Sequence, residues 1–241
     1  FEDVLKEAIQ FLKDHPTETI LMRLKEETTP ESGSLSFEEI LNKYKDLNSS
    51  YFWDPSSVPT SKRNNPTLGD IRGKIVILQN FTASQQYGIN YDSLNIQDTF
   101  EIENGPDGMY EKWNAVKTHL QNANNNFNND KIYLNHFSGT GGAAALLNNV
   151  YPWFVASGKE SRNTDSNPKM IQKATTNAWE DFPRDINGQV FYGGMNTLGT
   201  EFLQQGGMKH TGIIAADFPG PGLIDSIIKL NGIHSNEKEI L

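Results

Sequence analysis

The 241-residue chain carries a formal net charge of −9, is 36% hydrophobic and contains no cysteine. The acidic balance argues against docking on a nucleic-acid phosphate backbone, which needs a basic face, so no nucleic-acid partner is expected. Without cysteine there is no disulfide framework and no Cys-ligated zinc site, and no apolar run reaches the roughly 18 residues of a transmembrane helix.

The first element read from the sequence is an amphipathic helix in "FEDVLKEAIQFLKDHP", with Val4, Leu5, Ile9, Phe11 and Leu12 assigned to one face and Pro16 ending it. "TILMRLKEE" follows as an apolar strand that turns polar at Arg23, Lys25, Glu26 and Glu27. The polar stretch 31–66 holds one helix, "SFEEILNKYKDL", with Ser36 as N-cap and Glu39 completing a capping box. "TLGDIRGKIVILQNF" supplies a buried strand over Lys74–Leu78 that ends at Gln79 and Asn80, and "SLNIQDTF" a shorter one ending at Asp98.

"GMYEKWNAVKTHLQNA" is predicted as a helix with Met109, Trp113, Val116 and Leu120 on its apolar stripe. "KIYLNHFSG" gives the fourth strand, ending at Asn135 and His136. Residues 139–210 read as loop-rich, with an apolar "AAALLNNVYPWF" and a helical "LGTEFLQQG". In "TGIIAADFPGPG" the run Ile213–Ala216 predicts a fifth strand covered on both faces, with Asp217 at its mouth and Pro219 and Gly220 forbidding continuation. A last amphipathic helix, "GLIDSIIKLNG", follows.

Buried strands separated by helices predict an α/β fold with a parallel sheet covered by helices. Their polar C-terminal ends, Lys25, Glu27, Asn80, Asp98, His136 and Asp217, fall where a (β/α) barrel keeps its active site. Each of these residues taken singly is equally consistent with a solvated strand end; it is the set that points to a site. The chain is expected to be one domain, 1–241, with about five of the eight strands of such a barrel.

In family order, "FLKDHPTETILMRLKEE", "TLGDIRGKIVILQ", "IQDTF", "IYLNHFS" and "GIIAADFP" resemble segments of bacterial-type phosphatidylinositol-specific phospholipases C. The resemblance implies a distorted, incompletely closed TIM-like barrel, here without its first strands and their catalytic histidines. It implies cleavage of phosphatidylinositol to diacylglycerol and a cyclic inositol phosphate by a histidine base and a histidine acid, with no metal or other cofactor.

By position, Asp217 matches the aspartate that orients the base histidine. Lys25 and Glu27 match an inositol-contacting pair, and Asp98 an aspartate beside the ring. Two departures stand out: Asn80 replaces an arginine, and Phe100 replaces a tyrosine, keeping a surface for stacking without its hydroxyl. His136 is the one histidine of five at a strand's C-terminal end, and is grouped with the substrate-contacting residues; it is equally consistent with a satisfied, partly buried histidine.

A two-histidine reaction cannot be staffed from these strand ends, so the 241-residue chain alone is expected to be inactive. The resemblance further implies a secreted, monomeric enzyme that touches a membrane surface transiently and takes phosphatidylinositol or a related phosphoinositide or glycolipid headgroup. "VYPWF" reads either as aromatic residues inserted among headgroups or as ordinary packing. The alternatives are a glycerophosphodiesterase-like enzyme, which would need clustered acidic metal ligands, and an inactive lipid- or sugar-binding pseudoenzyme.

Overall fold

The computed structural model describes residues 1–28, 30–126, 131–142, 150–159, 169, 184–186 and 189–232. His234 and the 143–149 part of the apolar stretch lie outside the described residues. The chain divides into two compact units, one built mainly from Phe1–Asn95 and the other from Ile96–Asn129 and Tyr133–Asn236.

The first unit begins with helix α1, Glu2–Asp14. Leu5 and Leu12 are buried, with Ala8 and Ile9 packed beside them. Val4 and Phe11 do not share that face: they are 55% and 43% exposed. The stripe follows positions 5, 8, 9 and 12, and Val4 and Phe11 each sit one residue, about 100°, round the helix from it. Strand β1, Ile20–Lys25, leads to helix α2, Phe37–Leu47, which carries the predicted capping box between Ser36 and Glu39. A single turn, α3 at Leu68–Ile71, has a second box from Thr67 and Asp70.

Strand β2, Ile75–Asn80, pairs in parallel with β1 and with the two-residue β3, Ile89–Asn90. The order β1-β2-β3 puts β2 in the middle, where its first four residues are buried. Ile75 and Ile77 join Leu5, Leu12 and Leu41 in a core to which Met22 and Leu24 also belong. The pleat therefore turns Arg23, Lys25 and Asn80 to the opposite face, with Lys25 in register with Asn80.

In the second unit, β4 (Asn95–Gln97), β5 (Tyr133–His136) and β8 (Ile213–Ala215) form a sheet in that order, β5 and β8 being parallel. Helix α4, Met109–Asn125, buries Met109, Trp113, Val116 and Leu120 as predicted. They meet Phe137, Phe154, Met195 and Leu198 in one core. Phe154 lies on the short α5, Pro152–Ser157; Met195 and Leu198 lie on α6, Met195–Gln204. A Cβ at Gly199 would stand 2.3 Å from the Phe137 ring, so this glycine is what lets α6 close on the sheet.

Strand β8 departs from expectation, since Ile213, Ile214 and Ala215 are only half-buried. The strand lies at the edge of its sheet, and one flank lacks the neighbour that covers β5. Between α5 and α6 the loop-rich region holds an antiparallel pair, β6 (Arg184–Ile186) and β7 (Gln189–Phe191). Helix α7, Pro221–Asn231, follows β8. The fold is thus α/β with parallel strands, and among the described residues the sheets close no barrel.

Candidate active site

The polar strand ends fall into two groups, one on each unit. Lys25, Glu27 and Asn80 lie on the first, and Asp98, Phe100, His136 and Asp217 on the second.

On the first unit, Lys25 Nζ stands 2.9 Å from Glu27 Oε1, with both side chains largely in solvent. The hydrogen bond and charge of Lys25 hold the Glu27 carboxyl below its usual range. Asn80 ends β2, and its Oδ1 accepts from Arg23 Nη2 at 2.7 Å and from Arg23 Nε at 3.1 Å. The guanidinium also lies over the Tyr91 ring, 4.1 Å from its centroid. Lys25 and Arg23 border a cleft of about 440 Å³ with Phe37 and Tyr44, while Asn80 borders a polar one of about 300 Å³ with Gln79, Asn90 and Asp92.

On the second unit a buried polar network ties the strand ends together. Gln97 Nε2, at the end of β4, donates to Asn135 Oδ1 at 2.8 Å and to the His136 carbonyl at 2.9 Å. Asn135, fully buried on β5, donates to the Val116 carbonyl of α4 at 2.9 Å. Beneath the ends sits Lys112, also fully buried, whose Nζ donates to the carbonyls of Thr99 and His136 at 2.7 Å each.

Burial lowers the Lys112 pKa to about 8, against an opposing pull from the carboxylates of Asp98 and Asp217. Both carboxylates act on this one ammonium. Asp217 is half-buried just past β8, and Asp98 is exposed one residue past β4. The Asp217 carbonyl accepts from Asn196 Nδ2 at 2.8 Å, which ties the loop to α6. His136 ends β5 and is half-buried. The Phe100 ring is 54% exposed.

The aromatic stretch resolves toward packing: Val150 and Phe154 belong to the core, and Trp153 meets Phe218 edge to face, centroids 5.3 Å apart. Phe218 itself has a left-handed backbone, φ 49°, in the turn after Asp217. With Asn196 and Thr200, these two rings border a cleft of about 380 Å³.

Two residues of this geometry were missed as candidates in the sequence. Lys112 carried a signal: it falls three residues after Met109 and four before Val116, a lone charge on an apolar stripe. Arg23 carried one as well, two residues before Lys25 on a strand and so on the same face.

Comparison with known proteins points to one group of enzymes. The 1-phosphatidylinositol phosphodiesterase of Listeria monocytogenes is 36% identical over 168 residues, which cover 63% of this chain and 50% of that protein. The chain resembles the bacterial phosphatidylinositol-specific phospholipases C. The corresponding protein of Staphylococcus aureus is 31% identical over 165 residues, covering 61% of this chain and 52% of the relative. The chain thus spans about half the length of the curated relatives it matches.

Among solved structures, the phosphatidylinositol-specific phospholipase C from L. monocytogenes superposes with a TM-score of 0.59 at 24% identity, covering 95% of this chain and 69% of that one. That likeness establishes the fold, the incomplete α/β barrel that the sequence resemblance implied. No family model matches the chain.

Proposed function

We propose that the full-length protein is a phosphatidylinositol-specific phospholipase C and that residues 1–241 are part of its catalytic domain. The single observation that carries this is the coincidence of two facts. The relatives that match in sequence are phosphatidylinositol phosphodiesterases, and the charges of Asp98 and Asp217, both just past strand ends, act on one buried ammonium.

In this reading the inositol 2-hydroxyl is deprotonated by a histidine, attacks phosphorus and expels diacylglycerol, whose oxygen a second histidine protonates. Asp217 orients the base and stabilises the imidazolium that forms as the hydroxyl loses its proton. Lys25 and Glu27 hold ring hydroxyls, one donating and the other accepting. Asn80 adds a further polar contact beside them, and on the second unit Asp98, Phe100 and His136 are taken as substrate-contacting residues. The roles need no cofactor.

The substrate lives in a bilayer, so the enzyme works by transient contact with a membrane surface, as a secreted monomer. The test is diacylglycerol release by the full-length protein from vesicles of phosphatidylinositol and, separately, of phosphatidylcholine. Release from the first alone supports the reading. Equal release from both would overturn the headgroup specificity, and inositol binding without release would mark a pseudoenzyme.

A further inference from the structure

Arg23 is an exposed side chain held as few surface arginines are. A neutral amide oxygen, Asn80 Oδ1, takes two of its N–H groups, and an aromatic face, Tyr91, lies beneath it. No carboxylate among the described residues forms an ion pair with it, and none of its three other N–H groups donates to a described acceptor. A free arginine loses substantial rotamer entropy on binding a ligand; this one has lost most of it on folding.

The neighbours narrow the chemistry of that ligand. Lys25 lies two residues on along the same face, and Asn80 is its register partner. Lys25 is paired with Glu27 at 2.9 Å. The face therefore offers donors from Arg23 and Lys25 interleaved with the Glu27 carboxylate as acceptor. A ring of vicinal hydroxyls both donates and accepts, and fits that alternation. A phosphate is chiefly an acceptor and its negative charge would meet that of Glu27.

We propose that Arg23 is a specificity-determining residue, a preset guanidinium that donates to two adjacent hydroxyl oxygens of a neutral cyclitol ring held between it and the Lys25–Glu27 pair. This rests on the inositol-lipid reading above and adds to it a residue that neither the strand-end pattern nor the resemblance assigned.

The test follows the Arg23 Nε–H signal of the full-length protein by ¹⁵N NMR while myo-inositol or inorganic phosphate is added. Kinetics on phosphatidylinositol accompany it. The Nε–H signal should move with myo-inositol and stay with phosphate. Arg23→Gln should weaken inositol binding and raise KM by about tenfold, with a smaller change in kcat, as befits a lost charge-assisted contact present in the ground state.

Arg23→Lys should fail to restore binding, since an ammonium has no planar fork. A signal that answers to phosphate alone, or inositol affinity unchanged in Arg23→Gln, would overturn the proposal while leaving turnover, and so the enzyme reading, intact. Inositol binding through Arg23 in a protein that releases no diacylglycerol would sustain the proposal and defeat the enzyme reading.

Discussion

The two units present their polar strand ends in opposite ways. On the first, Lys25 and Glu27 form an exposed pair, and Arg23 leans on an amide and a ring. On the second, Asp98 and Asp217 act on an ammonium that is itself buried and tied to two backbone carbonyls. An exposed ion pair contributes little, so the Lys25–Glu27 pair can open at small cost. A buried charge must keep its partners. Under the proposed function the first group binds and the second holds charge in place, so substitutions on the two should differ in kind.

The largest effect is expected at Asp217. In the full-length protein Asp217→Asn should lower kcat severely, up to the order of 10⁴-fold if the carboxylate acts as a triad aspartate does, and leave KM nearly unchanged. Lys25→Ala should instead raise KM by about tenfold, because it addresses hydroxyls already present in the ground state. Steady-state kinetics on phosphatidylinositol micelles, with folding checked by circular dichroism, separate the two. If both variants change KM alone, the contrast between the two groups is wrong.

Next in size is Lys112, where the effect falls on stability. Lys112→Met removes the side-chain donor from the Thr99 carbonyl and leaves the His136 carbonyl with Gln97 alone, and should cost about 2 kcal/mol at pH 7. The wild type should also respond to pH in a way the variant does not. The folded protein gives up the Lys112 proton near pH 8, while the unfolded chain keeps it to about 10.5. Between those values the unfolded state binds more protons, so stability rises with pH. The cost of the buried charge is fully present below pH 8 and relieved above the unfolded value, a gain of up to about 3 kcal/mol. Urea melts of wild type and Lys112→Met at pH 7 and 9.5 measure both effects.

The smallest effect is at the α2 cap on the first unit. Ser36 Oγ accepts from the Glu39 N–H at 3.2 Å, and the Glu39 carboxylate accepts from the Ser36 N–H at 2.8 Å. Ser36→Ala should cost about 1 kcal/mol in a urea melt. It should leave kcat on phosphatidylinositol unchanged.

What the sequence disclosed follows the range of the forces involved. The α2 capping box and the Met109–Leu120 stripe were readable because each depends on residues within one or two turns of helix. Five strands were readable from their apolar runs, although β8 proved only half-buried. The two residues of β3 were not, having no run of their own and existing only through pairing with Leu78 and Gln79. The β6–β7 pair carries an Asn-Gly signal at 187–188 in its sequence, but flanks of only three residues are too short to read as strands. Val4 and Phe11 shared the helical period closely enough to be placed on the wrong face. At the site, the strand ends were legible one by one. The ties beneath them were not, since contacts such as Lys112 to His136 or Arg23 to Asn80 join residues 24 and 57 positions apart.

The claim that the full-length protein performs histidine-driven phosphodiester cleavage is tested most directly by its first water-soluble product. Phosphatidylinositol vesicles incubated with it and followed by ³¹P NMR should show a cyclic inositol phosphate before any acyclic one, at a rate that a chelator leaves unchanged. An acyclic phosphate as first product, formed at a rate that falls on chelation, would contradict the account and point to the metal-dependent phosphodiesterase instead.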